Sequence, residues 1–218
     1  MVKIDRNPTP PASLAIEKQK AHGSYNKPDV IQRLKEDSHD KCYICELGGL
    51  SDPEVEHLKP HHNRTIPDRV FDWNNLFYAC PHCNNLKKEA RYDDKIIDCC
   101  VEDPEKKLEQ SYENGHVSVH SIVDEECAVM TAELIQASFE KKNTGIREAA
   151  CQHRVDKLAE SMNILYKILE KYRKNPESQH YIRSLRRSLS RKSTFAAFKR
   201  NYVRKHIADY PDLEGFLL

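Results

Sequence analysis

Apolar positions in the C-terminal half of the chain recur every three or four residues, the spacing of one helix face. This pattern predicts helices over 127–139 and 146–174, and one or two more over 178–207. Asn175-Pro176 ends the longest helix, because proline disfavours the helical conformation of the residue before it. The apolar stripe of that helix consists of Leu158, Met162, Leu165, Ile168, Leu169 and Tyr172.

Strand signals are fewer and lie before these helices. Asn114-Gly115 is typical of a two-residue hairpin turn, and Val117, Val119 and Ile122 alternate along its second arm. A short helix is predicted over 28–38, where a proline suits the first turn. We therefore predict an α+β fold in which a small module and a β-hairpin precede a largely helical C-terminal part.

Composition divides the 218 residues into four predicted segments. They are an extended, proline-rich arm over 1–27, a compact module over 28–92, an acidic linker with the hairpin over 93–126, and a helical region with a basic tail over 127–218. The longest apolar runs fall short of the roughly 18 residues of a membrane span, and the N-terminus lacks a secretory signal. We therefore expect a cytoplasmic protein without membrane contact.

The net charge of +1 hides two oppositely charged segments. Residues 93–140 contain thirteen acidic and three basic residues, which gives −10, whereas residues 171–206 contain twelve basic and one acidic residue, which gives +11. A split of this size predicts that the tail binds a polyanion or pairs with an acidic surface. The simpler alternative is a solvated helix face.

Four of the eight cysteines form two Cys-x-x-Cys units, Cys42 with Cys45 and Cys80 with Cys83. Two intervening residues let both sulfurs reach one ion, and four thiolates at about 2.3 Å make a closed tetrahedral zinc site. A redox pair would need only one such unit. We predict a structural Zn²⁺ that contributes much of the folding energy of the module.

Polar residues of three chemical types lie close to these cysteines. Glu56 and His57 are adjacent between the two units, and Asn84 follows the last cysteine. Each has an ordinary explanation when taken alone, since single histidines are often structural and asparagine is a good helix cap. Side chains of adjacent strand residues diverge, so a strand end must let Glu56 and His57 reach one site.

Three segments resemble the HNH nuclease family, whose site is the ββα-metal motif: CYICE (42–46), EVEHLKP (54–60) and WNNLFYACPHCNNLK (73–87). The resemblance implies that His57 is the general base and that Glu56 and Asn84 hold a catalytic divalent ion. Asn75 matches the asparagine that orients the histidine loop. The four cysteines match the zinc knuckles of many family members.

These roles suit hydrolysis of a phosphodiester bond. A neutral imidazole can take a proton at pH 7, and acid and amide oxygens suit Mg²⁺ or Mn²⁺. His61 and His62 are the alternative candidates for the general base. If His57 is the base, we expect them to lie near the substrate or to hold the catalytic residues in place. Lys87 and Lys88 are expected to meet phosphate as point charges.

The flanking sequences extend the resemblance more loosely. RNPTPPASL, IIDCC, EDPEKKL and the NG turn are similar to the small HNH subunits of Septu-type anti-phage systems. Such subunits accompany an ABC-type ATPase (PtuA-like). Because neither GxGxxG nor a Walker A sequence occurs in this chain, nucleotide control would have to come from that partner.

We therefore expect a metal-dependent endonuclease that acts on nucleic acid, DNA rather than RNA. The alternatives are an HNH ribonuclease acting on structured RNA such as tRNA, and a non-catalytic zinc adaptor that binds nucleic acid or a partner. The adaptor would leave the candidate catalytic set without a role. Contacts to nucleic acid are expected from basic side chains that lie off the apolar stripes of the tail: Arg183, Arg186, Arg187, Arg191, Lys192, Lys199, Arg200, Arg204 and Lys205.

Overall fold

The computed structural model describes residues 1–140 and 145–217, and in these ranges two antiparallel strand pairs lie among seven α-helices. The α+β prediction is confirmed, and so are the predicted helices of the C-terminal part. The elements are α1 (Ala12–Lys18), α2 (Pro28–Asp37), β1 (Glu54–His57), β2 (Leu76–Ala79), α3 (Pro81–Lys87), β3 (Leu108–Glu113), β4 (His116–Ser121), α4 (Glu126–Phe139), α5 (Gly145–Lys174), α6 (Gln179–Leu189) and α7 (Ala196–Lys205).

The sequence predicted an extended N-terminal arm over 1–27. The structure instead contains the helix α1 within this segment. Leu14 of this helix is buried and packs with Val30 and Leu34 of α2 and with Trp73. Burial of these side chains stabilises a seven-residue helix that would be marginal alone in water. None of the described helices combines the length and the apolar character that crossing a bilayer requires.

The strand pair β1–β2 and the helix α3 form a continuous ββα unit. Glu56 lies opposite Phe77 and His57 lies opposite Leu76 in the antiparallel register. All four residues of β2 are buried, and they alternate between two cores. Leu76 faces α1 and α2, whereas Phe77 joins the main hydrophobic core, so both faces of the pair are covered. This packing fixes β1, which carries two of the candidate catalytic residues.

The predicted hairpin is confirmed at Asn114-Gly115, whose φ angles of 51° and 81° suit a two-residue turn between β3 and β4. The side-chain amide of Gln136 on α4 accepts from the amide of Val119 at 2.7 Å and donates to the carbonyl of Val117 at 3.2 Å. Ile122 does not continue the buried face, because β4 ends at Ser121 and Ile122 is exposed.

The segment over 93–126, predicted as a linker, is packed into the protein. Leu108 and Val119 of the hairpin belong to the same hydrophobic cluster as Cys42, Phe198 and Leu213. This cluster also includes Met1 and therefore contains residues from all four predicted segments. Residues 28–92 and the helical region share one core, and the hairpin is part of it.

Candidate nuclease site and zinc centre

The four cysteines of the two Cys-x-x-Cys units meet at one buried point. The sulfur atoms of Cys42, Cys45, Cys80 and Cys83 all lie within 4.8 Å of one another. Tetrahedral coordination at the usual zinc–sulfur length separates sulfurs by about 3.8 Å, and the Sγ atoms of Cys45 and Cys80 are 4.0 Å apart. The cluster therefore has the donors and the spacing to hold a zinc ion.

Each unit is shaped by a turn that its sequence favours. The amide of Glu46 donates to the carbonyl of Cys42 at 2.9 Å, which closes the first turn. In the second unit Cys80 caps α3, because its sulfur accepts from the amide of Cys83 at 3.5 Å. The alternative explanation of Asn84 as a helix cap does not hold, since α3 begins at Pro81 and Asn84 lies inside it.

A buried arginine from the helical region contacts the cysteine cluster. Arg154 of α5 donates from Nη2 to the Cys80 sulfur at 3.0 Å, and its side chain is 4% exposed. Burial by itself would lower the pKa of Arg154, but the thiolates of Cys45, Cys83 and Cys80 raise it above its ordinary value. Four thiolates around Zn²⁺ carry a net charge of −2, which this guanidinium partly neutralises.

The candidate catalytic residues line one cavity of about 570 Å³ between β1, α3 and the loop that follows β1. Glu56, His57 and Asn84 all contribute to its wall. The complete lining is Tyr25, Val55, Glu56, His57, Pro60, His61, His62, Asn63, Asn84, Lys87, Lys88, Ala90 and Asp93. The structure thus brings together in one place three residues that are up to 28 positions apart in the sequence.

His57 is the last residue of β1, the position from which its ring can reach the cavity beside Glu56. Its Nε2 donates to the carbonyl of Val70 at 3.1 Å, which leaves Nδ1 as the ring nitrogen with an open lone pair. The rings of Tyr25 and His61 pack edge-to-face against His57, each at a centroid distance of 4.5 Å. Burial lowers the pKa of His57 to about 4, so the imidazole is neutral at pH 7.

Glu56 is 4% exposed, and each of its carboxylate oxygens has a partner. Tyr43 donates to Oε2 at 2.5 Å, and the ammonium of Lys87 lies 2.8 Å from Oε1. Burial and the neighbouring carboxylate raise the pKa of Tyr43, so its phenol stays protonated and donates. Each oxygen keeps a second lone pair, so these partners orient the carboxylate without using up its capacity to bind an ion.

Lys87 has a different place from the one predicted. Its side chain is 4% exposed, and its ammonium donates to the carbonyl of His57 at 3.0 Å as well as pairing with Glu56. Lys87 therefore supports β1 through the His57 carbonyl and the Glu56 carboxylate, and its ammonium does not extend towards a phosphate group. Lys88 is exposed on the cavity wall and keeps the predicted position.

Asn84 is oriented by a carboxylate that the sequence did not single out. Its amide nitrogen donates to Oε2 of Glu54 at 2.6 Å, which leaves Oδ1 as the available oxygen of the side chain. Glu54 lies two residues before Glu56 on the same strand, so the strand period places both on one face. Glu54 is thus a positioning residue for Asn84.

Asn75 is buried and holds the loop between β1 and β2 by three hydrogen bonds. Its Oδ1 accepts from the amide of Lys59 at 2.7 Å, and its Nδ2 donates to the carbonyls of Lys59 and Arg69 at 2.9 Å each. Arg69 directly precedes Val70, whose carbonyl accepts from His57. Asn75 therefore fixes the backbone that orients the imidazole and does not line the cavity.

Much of the basic tail is neutralised by the acidic segment of the same chain. Glu105 accepts from Arg191 at 3.2 Å, from Arg200 at 2.8 Å and from Arg204 at 3.1 Å, and Arg191 also pairs with Asp103 at 2.8 Å. Arg191, which we expected to contact nucleic acid, is thus paired with carboxylates of its own chain. Arg200 is 1% exposed and also donates to backbone carbonyls.

Two of the three predicted lysines of the tail are also not free on the surface. Lys199 is buried, contrary to expectation, and Lys205 pairs with Glu109 at 2.5 Å. The remaining basic side chains of α6 and its C-terminal end are exposed, and no carboxylate in the described ranges pairs with them. We call this set the basic ridge: Arg183, Arg186, Arg187 and Lys192.

Comparisons with known proteins give a partial similarity. No protein-family model matches it. A stretch of 92 residues is 34% identical to the Septu protein PtuB of Bacillus thuringiensis. The aligned stretch covers 39% of this chain and 34% of that protein, so the similarity spans about a third of the relative's length. The chain is thus related over part of its length to a Septu protein.

Proposed function

We propose that the chain is a metal-dependent endonuclease of the HNH type that cleaves DNA, and that it is the nuclease component of a Septu-type anti-phage system. The observation that carries the proposal is the joint placement of Glu56, His57 and Asn84 on one cavity, with Nδ1 of His57 left open. The ββα unit and the adjacent cysteine cluster support it. The partial similarity to PtuB supports the assignment to defence.

The donor set fits a hard divalent ion. The carboxylate of Glu56 and Oδ1 of Asn84 are oxygen ligands that suit Mg²⁺ or Mn²⁺, and both are held in place by hydrogen bonds from behind. When bound there, the ion would supply positive charge that offsets the negative charge developing on the phosphate. Water and phosphate would complete its coordination shell.

The residues of the chain perform the proton transfer and the positioning. His57 takes a proton from the attacking water at Nδ1, which is neutral and unprotonated at pH 7. The Val70 carbonyl holds Nε2 and stabilises the imidazolium that forms. Asn75 keeps that carbonyl in place through the adjoining backbone. A zinc ion at the four cysteines would be structural, because Cys42, Cys45, Cys80 and Cys83 would occupy all four coordination positions.

The test is cleavage of duplex DNA and of tRNA by zinc-loaded protein with added Mg²⁺ or Mn²⁺. We expect His57→Ala to lower DNA cleavage by about 10²–10⁴-fold, because a general base contributes that much. His120→Ala, an exposed histidine on the hairpin, is the matched control and should cleave normally. Cleavage of tRNA alone would favour the ribonuclease, and binding without divalent-dependent cleavage would favour the adaptor.

The proposal includes an ABC-type ATPase (PtuA-like) as partner. The support is the partial similarity to PtuB and the exposed basic ridge, which no acidic group of the described chain covers. Co-expression with an ATPase encoded beside this chain should yield one complex on size exclusion. A chain that elutes alone from that mixture and cleaves at full rate would contradict this part of the proposal.

A further inference from the structure

The cavity holds a second imidazole whose function neither zinc nor the metal-binding residues explain. His61 is half-buried, lines the cavity beside Lys88, and lies edge-to-face with His57 at a centroid distance of 4.5 Å. Lys87 is not available as a donor into the cavity, because its ammonium is held by Glu56 and by the carbonyl of His57.

The protonation of the His61 ring is fixed by its own loop. The amide of Arg64 donates to Nδ1 of His61 at 3.0 Å, so Nδ1 carries the lone pair and the ring proton lies on Nε2. His57 also carries its proton on Nε2, but that atom is occupied by the Val70 carbonyl. The two rings thus present opposite chemistry to the cavity, an acceptor nitrogen from His57 and a donor N–H from His61.

The loop that supplies the Arg64 amide has a costly conformation. His62, Asn63 and Arg64 have φ angles of 44°, 54° and 68°, the left-handed region that residues other than glycine rarely adopt. Two of its own side chains help to hold the loop in this state: the Arg64 guanidinium donates to the carbonyl of Gly23 at 2.6 Å, and the Thr65 hydroxyl donates to the carbonyl of His62 at 2.9 Å. The chain maintains backbone strain at the place that sets the His61 tautomer.

We infer that His61 is a second catalytic residue, which donates a hydrogen bond from Nε2 to a non-bridging oxygen of the scissile phosphodiester while His57 activates the water. The inference rests on the proposed nuclease function and names a further residue of the same site. A donor aimed at the oxygen where charge develops stabilises the transition state more than the ground state. Burial lowers the pKa of His61, in agreement with a neutral donor.

The test compares His61→Gln with His61→Phe in the zinc-loaded full chain. Glutamine can place an amide N–H where Nε2–H stood, whereas phenylalanine keeps the ring but has no donor. In single-turnover cleavage of duplex DNA at saturating protein, we expect His61→Phe to lower the rate by about 10²-fold and His61→Gln to stay within about tenfold of wild type. Equal losses in both variants, or wild-type cleavage by His61→Phe, would overturn the inference.

A second readout separates this inference from the nuclease proposal. Long-range proton–nitrogen NMR of histidine-labelled His57→Ala protein reports the His61 ring when uncleaved duplex DNA is added. We expect a proton on Nε2 and a shift of that signal with duplex. If the variant shows the shift but the wild-type chain never cleaves, the nuclease proposal is refuted and the phosphate contact is kept. If the wild-type chain cleaves but the variant shows no shift, the contact alone is refuted, and the absence of both results would refute both.

Discussion

Replacing Arg154 by methionine tests whether the helical region contributes to the zinc centre. Methionine has a similar length and no charge, so the change removes the contact of 3.0 Å between Nη2 and the Cys80 sulfur without opening a large cavity. No carboxylate in the described ranges pairs with Arg154, and its guanidinium is buried. The charge of the cysteine cluster is therefore its main electrostatic partner.

The size of the effect follows from this burial. A hydrogen bond to a charged group contributes about 1.5–3 kcal/mol, which corresponds to roughly a 10–100-fold change in a binding constant. Residues behind metal ligands have effects of about this size on metal affinity. We therefore expect Arg154→Met to raise the Kd for zinc by about 10–100-fold.

The measurement is competition for zinc between the protein and a chromophoric chelator at pH 7. Lys157→Met is the matched control, because Lys157 is an exposed cation one turn further along α5 that pairs only with Glu160 among the described residues. Arg154→Lys keeps the charge but not the planar fork, and its Kd should lie between those of the wild type and Arg154→Met. A wild-type Kd in a folded Arg154→Met protein would refute the reasoning.

Three further outcomes follow from other parts of the structure. Burial lowers the pKa of Lys199 to about 8, so the unfolded chain binds this proton more strongly than the folded chain. The free energy of unfolding should therefore rise as the pH increases from about 8 to 10.5. Lys199→Met should flatten that rise, as measured by chemical unfolding at several pH values. Asn75→Ala leaves three backbone groups without partners and should cost about 2–4 kcal/mol in the same assay, with near-complete loss of cleavage. Changing Arg183, Arg186 and Arg187 to glutamate should reduce the salt dependence of duplex binding by up to about 2.7 log units per log unit of salt, and an unchanged slope would exclude the basic ridge as the DNA contact.

Local patterns in the sequence predicted those elements whose cause is local. The Asn114-Gly115 turn depends on residues that adopt positive φ, and the helices from α4 to α7 depend on apolar spacing, so both could be predicted. The clustering of Cys42 and Cys80 also followed from the chemistry of paired thiols. The helix α1 was missed because its stability comes from the packing of Leu14 against α2.

The parts of the site that sequence reasoning missed depend on contacts between distant segments. Lys87 matches a phosphate contact by position alone, yet its ammonium turns inward because Glu56 lies within 2.8 Å. Glu54 was visible as an acid two residues before Glu56, and the two-residue strand period was the signal that could have placed it beside the site. The role of Arg154 had no local signal, since Cys80 is 74 positions away.

The opposite charges of residues 93–140 and 171–206 are a second case in which the contacting residues lie far apart in the sequence. Segments with net charges of −10 and +11 indicated an external polyanion or an acidic surface. The structure supplies much of that acidic surface from within the chain, because Glu105 contacts Arg191 across 86 positions and Arg200 across 95. The basic ridge is not neutralised in this way and is left for an outside partner.

The contact between Arg154 and Cys80 determines what must accompany the four-cysteine module if it is transferred to another protein. A fragment comprising residues 28–92 would contain all four cysteines but would lose the guanidinium that partly balances their charge. Its newly uncovered surface would include the apolar side chains that now meet α4 and α5. The ββα unit and the helices are therefore one structural unit, and a graft of the ββα unit into another protein would need a replacement cation beside Cys80.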